Sequence, residues 1–289
     1  MSTKEQHVAS PSPFTVERLA SFADGNAGGN PAGVVICDAL PDASIMQAIA
    51  AEVGYSETAF AAPVEAGWRV RYFAPEIEVP FCGHATIALG AALARREGDG
   101  LFHLQLNQAK ITVDGHRDGA TLLAALQSPP THSQPAPADL VQDVLALFGY
   151  AQGDLDPRLP PAIAEGGAKH FVLALADRAR LSEMHYDLEA GRELMLAHGF
   201  ATIALVYAEH QRLFHARNPF AAGGVYEDPA TGAAAAALAG YLRDIEWLRE
   251  GSIDIIQGVD MGMPSRIHVE ITPEIGASIR VSGAVRSLA

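Results

Sequence analysis

The chain has 289 residues, 49% of them hydrophobic and 19% charged, enough apolar material for a folded core and too little charge for a disordered chain. Lys+Arg number 20 against 34 Asp+Glu, a formal charge of −14 with a pI near 5.1, which excludes broad electrostatic binding to nucleic acid. The two cysteines, Cys37 and Cys82, exclude a disulfide framework or a Cys-rich zinc site.

At roughly 100–200 residues per domain, the length predicts two domains or one large one. Residues 1–12 are polar, lack the apolar run of a secretory signal, and read as a disordered tail. No uncharged apolar run reaches the roughly 18–20 residues of a membrane span, so a soluble, cytoplasmic protein with no membrane partner is expected.

Phe14 to Leu19 alternates like a strand, and Gly33–Cys37 is a short β-prone run that places Cys37 in the core. Between them lies Asp24–Gly25–Asn26–Ala27–Gly28–Gly29–Asn30–Pro31, a cluster of turn formers that reads as a flexible connection. From Asp42 to Val53, apolar residues recur at helical spacing. Strands follow at Glu57–Ala62 and Trp68–Phe73. A loop from Ala74 to Pro80 leads to Cys82–Gly83–His84 and a strongly apolar helix ending near Arg96, then β-like segments to Leu126.

The proline-rich stretch 128–139 reads as a linker between two halves. Beyond it, helix is expected near 138–149, strand at 170–175, helix at 187–198 and strand at 201–208. Glu227–Asp228–Pro229–Ala230–Thr231–Gly232 then opens an Ala-rich helix to Arg243, and the last forty residues alternate in β fashion. Aligning Gly83 with Gly232 pairs Ala85 with Ala234, Leu89 with Leu238 and Leu93 with Leu242, so the halves echo one another. A helix apolar nearly all round should be buried, so each half is expected to wrap sheet around one central helix.

The first amides of a helix lack intrahelical partners and carry partial positive charge, so Gly83 and the run Thr231–Gly232–Ala233 offer two sets of donors for a carboxylate or phosphate. The alternative is ordinary capping by Thr231 or Asp228. Glu57, among small, apolar and aromatic neighbours, suits a general acid/base, although a lone Glu on a strand more often faces solvent. His84 at a helix start binds substrate or merely caps. Cys82 at a helix N-terminus is a candidate thiolate base, but the second half has no matching cysteine. No phosphate-binding loop, dinucleotide fingerprint or zinc-protease motif occurs, so no cofactor and no metal site is read.

Together, Gly29–Asn30–Pro31–Ala32–Gly33–Val34–Val35, Ser56–Glu57–Thr58–Ala59–Phe60, Cys82–Gly83–His84–Ala85–Thr86 and Glu227–Asp228–Pro229–Ala230–Thr231–Gly232 resemble the PhzF (phenazine-biosynthesis-like) family. The resemblance implies an α+β, diaminopimelate-epimerase-like fold of two pseudo-symmetric domains, each a curved mixed sheet around a central helix. It places an N-terminal domain at 13–127, completed by a strand from about 277–289, and a C-terminal domain at 140–276, with the active site in the cleft and a homodimer as the usual assembly. It also implies that Glu57 is the catalytic acid/base, that His84 and Asp228 are catalytic partners, and that Gly83, Thr231, Gly232, Ala233 and Cys82 line the site of a small carboxylate substrate. The activity so implied is a cofactor-independent isomerase. Where the family commonly has Thr-Gly-Ser, this chain has Thr231–Gly232–Ala233, which points to a changed substrate. Two other readings stay open: an epimerase or racemase using Cys82, and a non-catalytic small-molecule-binding protein, which Ala233 favours and intact Glu57, His84 and Asp228 oppose.

Overall fold

The structure, a computed structural model, describes residues 14–289; the expected tail at 1–12 lies outside them. Alternating burial runs along several strands, such as Gly67–Phe73 and Ser265–Ile271, because successive side chains face opposite sides of a pleated sheet. In the first half, the helix Ala43–Val53 carries the chain from Asn30–Ile36 to Thr58–Val64, which pair in parallel. Gly67–Phe73, Gly100–Gln105, Lys110–Asp118 and Thr121–Pro130 extend the sheet in turn.

The final strand, Ser278–Ser287, closes it by pairing with both Thr121–Pro130 and Glu17–Ser21, which in turn pairs with Asn30–Ile36. This closed ring surrounds the first central helix, Gly83–Glu97, in which every residue from His84 to Ala94 is buried. In the second half, the strands from His132–Pro135 to Ser265–Ile271 curve around the second central helix, Gly232–Asp244, buried from Ala234 to Arg243. Such helices need close approach. A Cβ at Gly115 would lie 2.2 Å from the Gly90 carbonyl oxygen, so the sheet touches the first helix backbone to backbone.

Ser278–Ser287 completes the ring of the first half and also pairs with Ser265–Ile271, so it joins the two halves. Two expectations change. Residues 128–139, expected to be a linker, are largely the end of Thr121–Pro130 and the strand His132–Pro135; these edge positions tolerate proline, which cannot donate to a ladder. Cys37 is only half-buried, because it falls just past the end of Asn30–Ile36. No helix among the described residues is long and apolar enough to cross a membrane.

Candidate active site

The two central helices contact one another, and charged groups ahead of their first turns interact across the gap between them. Glu57 stands just before Thr58–Val64, partly buried, with its side chain 17% exposed. Its Oε2 lies 3.4 Å from His84 Nε2 and accepts from the Cys82 thiol at 3.4 Å. Cys82 Sγ is also 3.4 Å from His84 Nδ1, and Ser56 Oγ is 3.3 Å from His84 Nε2. Ser21 donates to the His84 carbonyl at 2.7 Å and fixes the turn from the sheet side.

Asp228 ends the strand Val225–Asp228. Strand alternation sends Glu227 and Asp228 to opposite faces. Glu227 makes a buried two-pronged pair with Arg217 (Nε to Oε1, 3.0 Å; Nη2 to Oε2, 2.5 Å), which pins the strand and presents Asp228 to the other side. There the Asp228 carboxylate accepts from Asn30 Nδ2 at 2.8 Å and from Thr231 Oγ1 at 2.5 Å. Gln257 completes the turn: its Nε2 donates to the Asp228 carbonyl at 2.7 Å and to Thr231 Oγ1 at 3.0 Å, while its Oε1 accepts from the Thr231 amide.

Electrostatics tie the two clusters together. Burial raises the Asp228 carboxyl above the usual aspartate range, opposed by the His84 charge and the Thr231 hydrogen bond and reinforced by Glu57. The Cys82 thiol is pushed well above its ordinary range, first by burial and then by the Glu57 charge, with Asp228 adding to it. At neutral pH it is a protonated S–H donor. Low-pKa thiolates occur at helix ends with nearby positive charge, whereas here two carboxylates face the sulfur.

The structure thus brings Glu57, Cys82, Gly83, His84, Asp228, Thr231 and Gly232 to one place. Gly83, Gly232 and Ala233 are partly exposed there. Capping, the simpler expectation for Thr231, does not occur: its hydroxyl binds Asp228 and Gln257, and no side chain caps either central helix. A Cβ on Gly83 would meet open space, whereas one on Gly232 would come 3.3 Å from the Phe22 ring. Phe22 is fully buried with a left-handed φ of 61°, an uncommon conformation for a bulky residue, held here at the foot of the second helix.

Sequence reasoning missed Asn30, Ser21, Ser56 and Gln257. Asn30 had a usable signal, because it lies in the Gly29–Val35 motif. The supposed flexible turn before it is tightly built: Gly28 and Gly29 take positive φ, and a Cβ on Gly28 would overlap Pro264. That turn aims Asn30, which is buried, at Asp228 and at the Ala230 carbonyl 2.9 Å away. Ser21 and Gln257 carry no sequence signal, since each acts on residues far away in the chain.

The chain matches the PhzC-PhzF family, phenazine biosynthesis-like proteins, over residues 19–286. It belongs to that family. An uncharacterized isomerase from Mesorhizobium japonicum is 34% identical, with 93% of this chain and 92% of that protein covered. A trans-2,3-dihydro-3-hydroxyanthranilate isomerase from Pseudomonas chlororaphis is 33% identical over 86% of each. A PhzF-family crystal structure from Bacillus anthracis superposes with a TM-score of 0.84 at 22% identity, covering 95% of this chain and 96% of that one, which shows the diaminopimelate-epimerase-like fold. As a member of the PhzC-PhzF family, the chain is an isomerase.

Proposed function

We propose that this isomerase moves a proton on a small carboxylate-bearing metabolite without a cofactor, with Glu57 as general acid/base. The observation that carries the proposal is the meeting of Glu57 and His84 from the first half with Asp228 from the second, beside two helix ends that no side chain caps. The uncapped amides near Gly83, Gly232 and Ala233 receive the substrate carboxylate, since helix N-termini favour anions. Glu57 takes an acidic C–H proton from the substrate and returns it at a conjugated carbon. His84 lies 3.4 Å from the Glu57 oxygen and steadies the carboxylate, while Asp228, held by Asn30 and Thr231, orients a polar group of the substrate.

The relative from Pseudomonas chlororaphis names one candidate, trans-2,3-dihydro-3-hydroxyanthranilate. Ala233 offers no hydroxyl where the family commonly has serine, a difference of about 0.5–1.5 kcal/mol in one hydrogen bond, and this favours a related substrate over that compound. The two halves act as domains about the cleft. The homodimer enters this reading on family resemblance alone.

A thiol epimerase is the competing reading. The raised thiol of Cys82 and the lack of a facing cysteine at Asp228–Pro229–Ala230 count against it. Cys82→Ser is expected to keep most proton-transfer activity, and Glu57→Gln to lose about 10²–10⁴-fold in kcat. With NMR detection in D2O, label on a carbon to which a double bond has moved identifies isomerisation. Label at one unshifted, inverted carbon, together with an inactive Cys82→Ser, would overturn it.

A further inference from the structure

Glu57, Cys82 and His84 form a second kind of constellation. Their ligand atoms, a carboxylate oxygen, a sulfur and an imidazole nitrogen, all lie within 4.8 Å of one another. Glu57 Oε2 to His84 Nε2 is 3.4 Å, Cys82 Sγ to Glu57 Oε2 is 3.4 Å, and Cys82 Sγ to His84 Nε2 is 3.9 Å. Tetrahedral zinc with its usual bonds to sulfur, nitrogen and oxygen requires ligand-to-ligand edges of roughly 3.3–3.6 Å. The two edges from Glu57 fall in that range, whereas the Cys82–His84 edge is wider and the sulfur lies nearer Nδ1, at 3.4 Å, so the imidazole must turn for Nε2 and the sulfur to share an ion.

We propose that Glu57, Cys82 and His84 bind a borderline-soft divalent cation, Zn2+ in particular, as a three-ligand site whose fourth position faces the cleft. On binding, the Cys82 S–H bond breaks, the sulfur takes the metal and the proton leaves to solvent. One thiolate, one carboxylate and a neutral imidazole then balance the 2+ charge, so no net charge is left in a mostly buried place. Asp228 adds negative potential from the facing half. Glu57 and His84 keep side-chain exposures of 17% and 9%, which gives an ion its approach. The helix ends add partial positive charge, which weakens the site and keeps it reversible.

The consequence is regulatory. A Glu57 carboxylate engaged by the ion cannot accept a proton, so the cation switches off the proposed reaction. That consequence rests on the role given to Glu57, whereas binding itself does not.

Co2+, which takes such sites and reports on them optically, is the probe. Titrated into the full chain, it should give a thiolate-to-cobalt charge-transfer band in the near ultraviolet, saturating at one equivalent and displaced by Zn2+. Cys82→Ser should abolish the band and Cys37→Ser should leave it unchanged. Glu57→Gln and His84→Asn should keep the band and weaken affinity about a hundredfold, since even partners outside the ligand set commonly cost 10–100-fold. Circular dichroism on each variant checks that it folds. No band with the unaltered chain, or a band that survives Cys82→Ser and vanishes with Cys37→Ser, would overturn the site. A band that forms while proton transfer continues at full rate would leave the site standing and contradict the role of Glu57.

Discussion

Asn30 donates from one amide nitrogen to the Asp228 carboxylate and the Ala230 carbonyl, so a single side chain from the first half fixes the Asp228 turn of the second. Asn30→Ala removes both bonds and leaves a buried carboxylate with one donor fewer. The expected cost is about 2–3 kcal/mol in urea unfolding, because hydrogen bonds to charged groups exceed neutral ones. Turnover should also slow, with kcat falling more than KM rises, because Asp228 is misplaced rather than the carboxylate pocket lost; an unchanged kcat would show that Asp228 needs no such support. Glu57, His84 and Asp228 are legible in the sequence from their motifs, and the structure brings them near one another. The shared environment of Cys82 was not legible: whether a thiol at a helix end is acidified depends on the charges facing it, and those come from Glu57 and, across the cleft, Asp228.

At the scale of elements, period-2 and period-3.6 patterns located most strands and helices, including Ala43–Val53, Leu188–His198 and both central helices. The apolar surround of the central helices also foretold their burial. Proline density misled at 128–139, since proline marks an edge strand as readily as a linker. The contact between the first central helix and its sheet is the most demanding packing in the fold. Gly115→Ala would drive a Cβ into the Gly90 carbonyl, and backbone cannot rotate away as a side chain can. A loss of about 2–3 kcal/mol or more in chemical denaturation is expected, toward or beyond the upper end for overpacked cores. A neutral result would mean that the helix sits farther from the sheet than the structure places it.

At the scale of the whole molecule, closure of the first ring by Ser278–Ser287, and the sharing of that strand with the second half, could not be read from periodicity. Alternation says that a strand exists and which face is apolar, not which neighbours it chooses. Global stability carries a pH signature away from the candidate site. His170 is fully buried, bonded through Nδ1 to Thr202 while its Nε2 has no partner, and burial pushes it down from 6.5 to about 4. The folded state therefore keeps His170 neutral while the unfolded chain takes up a proton as pH falls through 6.5. Stability is full above that pH and declines by at most about 3 kcal/mol as pH drops toward 4. His170→Phe should flatten this part of the stability curve relative to the unaltered chain; parallel curves would contradict it.

The most direct test of the central claim is solvent deuterium uptake by NMR, with trans-2,3-dihydro-3-hydroxyanthranilate and related small amino and dihydroaromatic acids incubated in D2O with the protein and with Glu57→Gln. Deuterium should enter a substrate carbon in the presence of the unaltered chain and stay at background with the folded Glu57→Gln variant. Uptake at full rate in Glu57→Gln would contradict proton transfer by Glu57.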